Sequence, residues 1–342
     1  MPIYHPDLDT AALFDWPAVR ETDVRWQGLL LGNGASIAVA DSFSYPSLFE
    51  VARGGSVARP LPASAQQLFA ELATTNFEFV LASLKLASRV CAAAGVDGSS
   101  LPTLYASAQH ALFDAVGHVH VDWEIVADRT LTAIRAELLA YKRVYSTNYD
   151  LLVYWAMMRQ GDPNDFRDYF WASGHFDATD VEVWGRPTVV LFPHGGIHLR
   201  RTPTGGTYKR SSGEQSLLAQ FETDWATDET PLLISEGSST DKLLSINRSD
   251  YLSFAYTSFA RHEGNLVVFG HALREEDDHL VHAMNQWGSE GNPRQIAISV
   301  RRQPGERVIR QEKARLAQRL PNADLWFYDA DTHPLGEPHV RP

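Results

Sequence analysis

A doubly wound α/β fold, Rossmann-like in type, with a mostly parallel sheet and a helical insertion, is the architecture this sequence predicts. Three observations predict it. The apolar run Gln27 to Leu31 stops at Gly32 and a helical stretch follows from Ser36, and this strand, glycine turn and helix is how such folds open. Further short apolar runs recur at Val144 to Ser146, Thr188 to Phe192, Leu232 to Ile234, Leu266 to Phe269, Ile296 to Val300 and Leu325 to Tyr328. Several are followed by helical patterns, at Asp250 to Arg261, Glu275 to Trp287 and Glu306 to Arg319, and such alternation favours parallel strands covered on both faces.

The insertion is read from the long stretch between the first strand and the second. Ala65 to Ala73, Phe77 to Ala94, Leu101 to Val116 and Trp123 to Tyr141 all space their apolar residues at three and four, as amphipathic helices do. We therefore expect one domain over residues 1–342, with residues 53–141 as a helical insertion or lid. Such stripes serve packing in most proteins, and a partner-binding face is the alternative. No fixed-period repeat interrupts the pattern, and the loop-like runs Arg53 to Ser64 and Arg200 to Glu214 are short enough to be inserted loops.

Composition narrows the function. At 342 residues and 44% hydrophobic content the chain can bury a sizeable core. Thirty basic against 42 acidic residues give a net charge of −12, which repels a polyanion, so nucleic-acid binding is disfavoured. The single cysteine, Cys91, excludes an intramolecular disulfide and any multi-thiolate zinc site, and it suits a reducing cytosol. No apolar stretch approaches the roughly 20 residues of a membrane span, and the N-terminal residues have no signal-peptide pattern, so a cytoplasmic protein is expected.

Four short segments can carry chemistry. Gly32, Asn33, Gly34, Ala35 and Ser36 (GNGAS) stand at the end of the first strand, where glycines let backbone approach a pyrophosphate and helix-opening amides face an anion; a plain glycine turn is the alternative. Ser146 to Asp150 (STNYD) follows the second strand and points polar groups at the ligand crevice of an α/β sheet, while Asn148 also suits a helix cap for Leu151 to Met158. Pro193 to His198 (PHGGIH) follows the third, and a histidine flanked by glycines at a strand end is suited to proton transfer. In Val267 to Leu280, a strand ends in Gly270 and an acid-rich segment opens a helix; either Asp277 and Asp278 simply favour its first turn electrostatically, or Gly270 and His271 border the adenosine half of a dinucleotide.

In this order the four segments resemble the sirtuin-like superfamily, and in particular its bacterial NAD-cleaving branch found in phage-defence proteins. GNGAS is similar to that family's phosphate-cradling turn, TNYD to the motif lining its nicotinamide and ribose pocket, HGG to its base histidine, and GHALREEDD to a later glycine-containing segment. The resemblance implies a sirtuin-like NAD+ glycohydrolase whose substrate is NAD. It implies that Gly32, Gly34 and Ser36 hold the pyrophosphate, that Asn148 orients ribose or water, that Asp150 contacts the nicotinamide amide, and that His194 takes a proton. Asn33, Ala35, Thr147, Gly195, Gly270 and His271 complete the expected NAD-binding set. A homo-oligomer or a defence-system partner protein goes with this reading.

Two departures stand out. One cysteine cannot build the four-cysteine zinc module of protein-deacetylating sirtuins, so deacetylation is disfavoured. His271 and Ala272 occupy the place of a small hydroxyl residue near the adenine ribose. Two rivals remain at this point. One is a metal-dependent hydrolase built from His118 to Asp122 read as a strand, or from His271, His279 and His282; the other is a non-catalytic NAD or nucleotide sensor or assembly subunit.

Overall fold

The run WQGLLL forms β1, Trp26–Leu31, whose last four residues are buried. In the computed structural model, which describes residues 8–336 apart from 56, 121–125, 160–162, 182–184, 186, 203–204, 211–230, 235–237, 288–293 and 303–304, this strand lies at the centre of a seven-stranded parallel sheet. To one side stand β2 (Arg143–Ser146), β4 (Thr188–Leu191) and the short β3 (Phe166–Arg167). To the other stand β8 (Asn265–Phe269), β9 (Arg294–Val300) and β10 (Ala323–Asp329). The order β10-β9-β8-β1-β2-β4-β3 makes the junction of β1 with β8 the topological switch point. In open α/β sheets the crevice beyond the carboxyl ends of the strands at such a junction is where ligands sit.

Described helices between strands are α1 (Trp16–Arg20), α2 (Asn33–Val39), α3 (Tyr45–Arg53), α4 (Ala63–Glu71), α5 (Phe77–Ala94), α6 (Leu101–Val119), α7 (Asp128–Leu139) and α8 (Leu152–Met158). The later ones are α9 (Ser239–Ile246), α10 (Asp250–Ala260), α11 (Asp278–Asn285) and α12 (Glu306–Arg319). Among the described residues no helix is long and apolar enough to cross a membrane.

The insertion is helical, as its periodicity predicts. Asn76 starts α5 by accepting from the backbone N–H groups of Glu78 and Phe79, a cap worth about 1 kcal/mol, and Gly95, left-handed at φ 67°, ends it. Phe77, Val80, Leu81 and Leu84 bury one face of α5, and α6 contributes Ala108, Ala111, Leu112 and Ala115 to the same core. The expected helix from Trp123 begins at Asp128 where described, and residues 121–125 lie outside the described set.

Two expectations need correction. Leu232 to Ile234 does not join the main sheet. After β4 the chain forms a small antiparallel sheet of β5 (Gly195–Arg201), β6 (Thr207–Lys209) and β7 (Pro231–Leu233), and Leu232 pairs with Gly196 there. Gly195 makes the turn at φ 79°, and any side chain on it would overlap the Leu232 carbonyl oxygen. The second concerns His118 and His120, which are not on a strand: His118 lies in the last turn of α6 and His120 follows its end, accepting from Leu151 N–H at 2.8 Å. Helical hydrogen bonding continues to Val119, so the alternating HVHV pattern carries no strand.

Candidate functional site

Strand register assembles the site. Leu31 of β1 is level with Ser146 of β2 and with Phe269 of β8, and Tyr145 is level with Leu191 of β4. The residues that follow, Gly32, Thr147, Gly270 and, two beyond Phe192, His194, therefore emerge along one edge of the sheet. Beside them opens a cavity of about 610 Å³ whose lining includes Asn33, Gly34, Thr147, Asn148, Asp150, His194, Gly270 and His271 but not Gly32. A second cavity of about 430 Å³, beyond the ends of β8 and β9, shares Gly34, Gly270, His271 and Arg274 with the first. The insertion closes one wall through Asn76, Glu78, Leu112 and Val116, next to Leu48 of α3.

The glycines serve the meeting of two turns. Gly32 N–H donates to Phe269 O at 3.0 Å and Gly34 N–H to Gly270 O at 2.8 Å. A Cβ on Gly34 would stand 2.6 Å from the Gly270 Cα, one on Gly32 would stand 2.5 Å from the His271 Cα, and Gly270 is left-handed at φ 68°. The amides of Gly34 and of Ala35, which donates to Gly32 O at 2.9 Å, are thus engaged within the protein. Gly32, Ala35, Ser36 and Gly195 are not among the residues that line the cavity.

Asn148, Ser36 and Asp150 form a chain of hydrogen bonds. Asn148 Nδ2 donates to Ser36 Oγ at 2.8 Å, and Ser36 Oγ donates in turn to Asp150 Oδ2. Asp150 Oδ1 accepts from Leu152 N–H at 2.9 Å, so Asp150, and not Asn148, supports the start of α8. Each Asp150 oxygen thus accepts one hydrogen bond, and the carboxylate supports Ser36 and through it Asn148 while itself lining the cavity. Thr147 Oγ1 donates to Leu31 O at 3.0 Å, and Asn33 Nδ2 donates to Phe43 O at 3.1 Å. Asn148 Oδ1 is buried with no protein partner. A buried acceptor without a donor costs free energy, and Asn148 is one of the residues that line the cavity.

His194 is fixed by its backbone, whose carbonyl accepts from Ile234 N–H at 3.0 Å, and by its ring, whose Nε2 lies 2.9 Å from His279 Nε2. One of these nitrogens donates and the other accepts. Burial, then the Lys242 ammonium, holds the His194 pKa well below its ordinary value, so the imidazole is neutral and keeps a nitrogen lone pair. Behind it, the fully buried Lys242 Nζ bridges Glu78 Oε2 at 3.0 Å and Asp277 Oδ1 at 2.9 Å. Burial opposes the charge on Lys242, but the two carboxylates outweigh it and raise its pKa. Burial likewise raises Glu78 despite Lys242, whereas in Asp277 the attraction of Lys242, His271 and His194 overcomes burial and lowers the pKa. Two carboxylates sharing one ammonium leave this wall net negative.

The metal sets drawn from sequence do not assemble. Asp122 lies outside the described residues, and His282 is exposed on α11 while His279, on the same helix, is buried. His194, Asp277 and His279 instead offer ligand atoms within 4.8 Å of one another. Glu78, Lys242 and Tyr45 are the residues that sequence reasoning missed. A glutamate in a helical apolar stripe and a lysine on an amphipathic helix have no local pattern distinguishing them from surface charges. Asp277 had a signal, since it lies in the acid run, but its partner is a lysine from α9 and not only the helix it opens.

An α/β protein with a parallel sheet and a crevice at its switch point is the class this fold defines, and sequence comparison adds the family. The chain belongs to the family described as Domain of unknown function (DUF4917), whose model matches residues 29–335. Among curated proteins nothing matches.

Proposed function

We propose that this protein is an NAD+ glycohydrolase that breaks the bond between nicotinamide and ribose, acting as a bacterial anti-phage defence effector. The observation that carries the reading is Asn148 Oδ1, a buried, unpartnered acceptor in the same cavity as the neutral His194. A ribose hydroxyl or a water supplies the donor that Oδ1 lacks. The adjoining cavities suit the two halves of a dinucleotide, and Arg274, which borders both, supplies a cation for the pyrophosphate in place of the engaged turn amides.

The chemistry balances without a redox partner. The C1′–N bond breaks, its electron pair neutralises the pyridinium, and nicotinamide leaves. The ribose is left as an oxocarbenium-like cation, which the negative wall of Glu78 and Asp277 favours. Water held by Asn148 attacks C1′ and gives its proton to His194, yielding ADP-ribose.

The test is release of nicotinamide from NAD by the purified chain, with Asn148→Ala beside it. Release that the variant loses supports the reading. Binding of NAD with no release would move the assignment to a nucleotide sensor, and neither binding nor release would defeat it.

A further inference from the structure

We propose that His194, His279 and Asp277 form a binding site for a divalent transition metal such as Zn2+, and that the bound ion inhibits the protein by occupying the His194 lone pair. The ligand atoms come from three places that tertiary packing brings together: the turn after β4, the turn before α11, and α11 itself. They lie within 4.8 Å of one another, and small side-chain rotations bring them to the separation of about 3.3–3.6 Å that ligands keep around a tetrahedral ion with bonds of about 2.0–2.2 Å. The two Nε2 atoms already converge at 2.9 Å. Neutral imidazoles and a carboxylate are the donor set of zinc and its neighbours rather than of calcium or magnesium.

The surroundings suit ligation. Ser239 Oγ lies 3.3 Å from His279 Nδ1 and accepts from His279 N–H at 2.6 Å. With Nδ1 protonated and donating to that oxygen, His279 presents its Nε2 lone pair to an ion, which is how outer groups set the tautomer of a metal-bound histidine. Whichever ring of the pair carries its proton on Nε2 moves it to Nδ1, so no net proton is lost. His271 Nε2 stands 3.8 Å from Asp277 Oδ2 and steadies the carboxylate. Lys242 is the opposing charge, but it keeps Glu78 at 3.0 Å when Asp277 turns toward the ion. His194 and Asp277 line the cavity, which supplies the entry path and the open coordination position. Inhibition rests on the NAD-cleaving reading; metal binding does not.

The full chain is titrated with Co2+ alone, and then with Zn2+ in competition. The expected result is one ion per chain with the visible absorption of a low-coordinate nitrogen and oxygen site, displaced by Zn2+. His279→Ala weakens binding by more than about a hundredfold, and Ser239→Ala, which removes the acceptor that orients the His279 ring, by about 10–100-fold. His282→Ala, on the exposed face of α11, leaves it unchanged. Thermal melts establish that the variants are folded, and Ser239→Ala carries the test if His279→Ala is not. Absence of a cobalt spectrum, or folded His279→Ala and Ser239→Ala with undiminished affinity, overturns the site. Metal binding by a chain that releases no nicotinamide supports the site while the enzyme reading fails. Nicotinamide release unaffected by saturating Zn2+ overturns the inhibition.

Discussion

Asn148 and Ser36 are 112 positions apart in the chain and joined by a 2.8 Å hydrogen bond in which the amide donates to the hydroxyl. This bond ties the turn after β1 to the turn after β2 and decides which face of the Asn148 amide meets the cavity. Asp150 on the far side of Ser36 holds the hydroxyl proton, so the hydroxyl must accept from Asn148. One amide hydrogen is thereby committed to Ser36, and the oxygen is left as the acceptor without a protein partner.

That arrangement separates two substitutions. Asn148→Ala removes the presented oxygen and is expected to cut NAD turnover by about 10² or more, the scale for a group acting directly at the reacting centre. Ser36→Ala keeps the oxygen but releases its orientation, and is expected to lower kcat about tenfold with little change in KM, since positioning is lost rather than uniform binding. It also strips partners from a buried amide and a buried carboxylate, at a stability cost of about 1–3 kcal/mol. Steady-state kinetics and urea denaturation check both. Equal losses of kcat in the two variants would deny Ser36 a merely orienting role.

Gly34 is expected to fail through packing before it fails through binding. A Cβ there meets the Gly270 Cα at 2.6 Å and the Gly270 carbonyl oxygen at 2.8 Å, and neither backbone atom can swing aside as a side chain would. Gly34→Ala should destabilise the fold by about 1–3 kcal/mol, the range for overpacked interiors. Denaturant unfolding measures this. A Gly34→Ala protein as stable as wild type yet impaired in NAD binding would return the glycine to a phosphate-holding role.

The parallel sheet was legible because its strands are buried on both faces and read as uninterrupted apolar runs such as LVVF in β8. The polar residues at strand ends were legible because register is shared: once β1, β2 and β8 end level, the residues after them must meet. The small sheet was not, since β5 opens with two glycines that look like a flexible turn, and β7 is a three-residue strand that local pattern cannot distinguish from one of the main sheet. Lys242 and Glu78 were invisible for a different reason. Their burial depends on partners 164 positions apart, and no local window contains both. The glycines were legible as special but not in purpose, because the backbone they admit belongs to another turn.

Acid should unfold this protein, and His198 supplies a measurable share. Its ring is enclosed between Tyr154, stacked at 5.1 Å, and Phe192, edge-on at 4.5 Å, with both ring nitrogens buried and unpartnered. Burial first, and then the charges of Lys209 and Arg200, push its pKa from the ordinary 6.5 down to about 3. The folded value is depressed, so below pH 6.5 the unfolded chain takes a proton that the folded chain refuses. The contribution is therefore fully present above about 6.5 and is lost as pH falls toward 3, at about 1.4 kcal/mol per pH unit, or about 2 kcal/mol between pH 6.5 and 5. His262, lowered by burial and Arg143 to about 4, and His279, lowered by burial to about 3, act in the same direction. Glu137 acts oppositely, because burial raises its carboxyl and protonation at low pH then favours the fold. A difference experiment isolates the histidine: urea unfolding of wild type and His198→Phe at pH 7.5, 6, 5 and 4.5. Phenylalanine retains an aromatic ring beside Tyr154 but does not titrate, so its stability should fall less steeply with acid, by about 1.4 kcal/mol per unit below pH 6.5. Parallel curves for the two proteins would mean that His198 is protonated in the folded state or has found a partner.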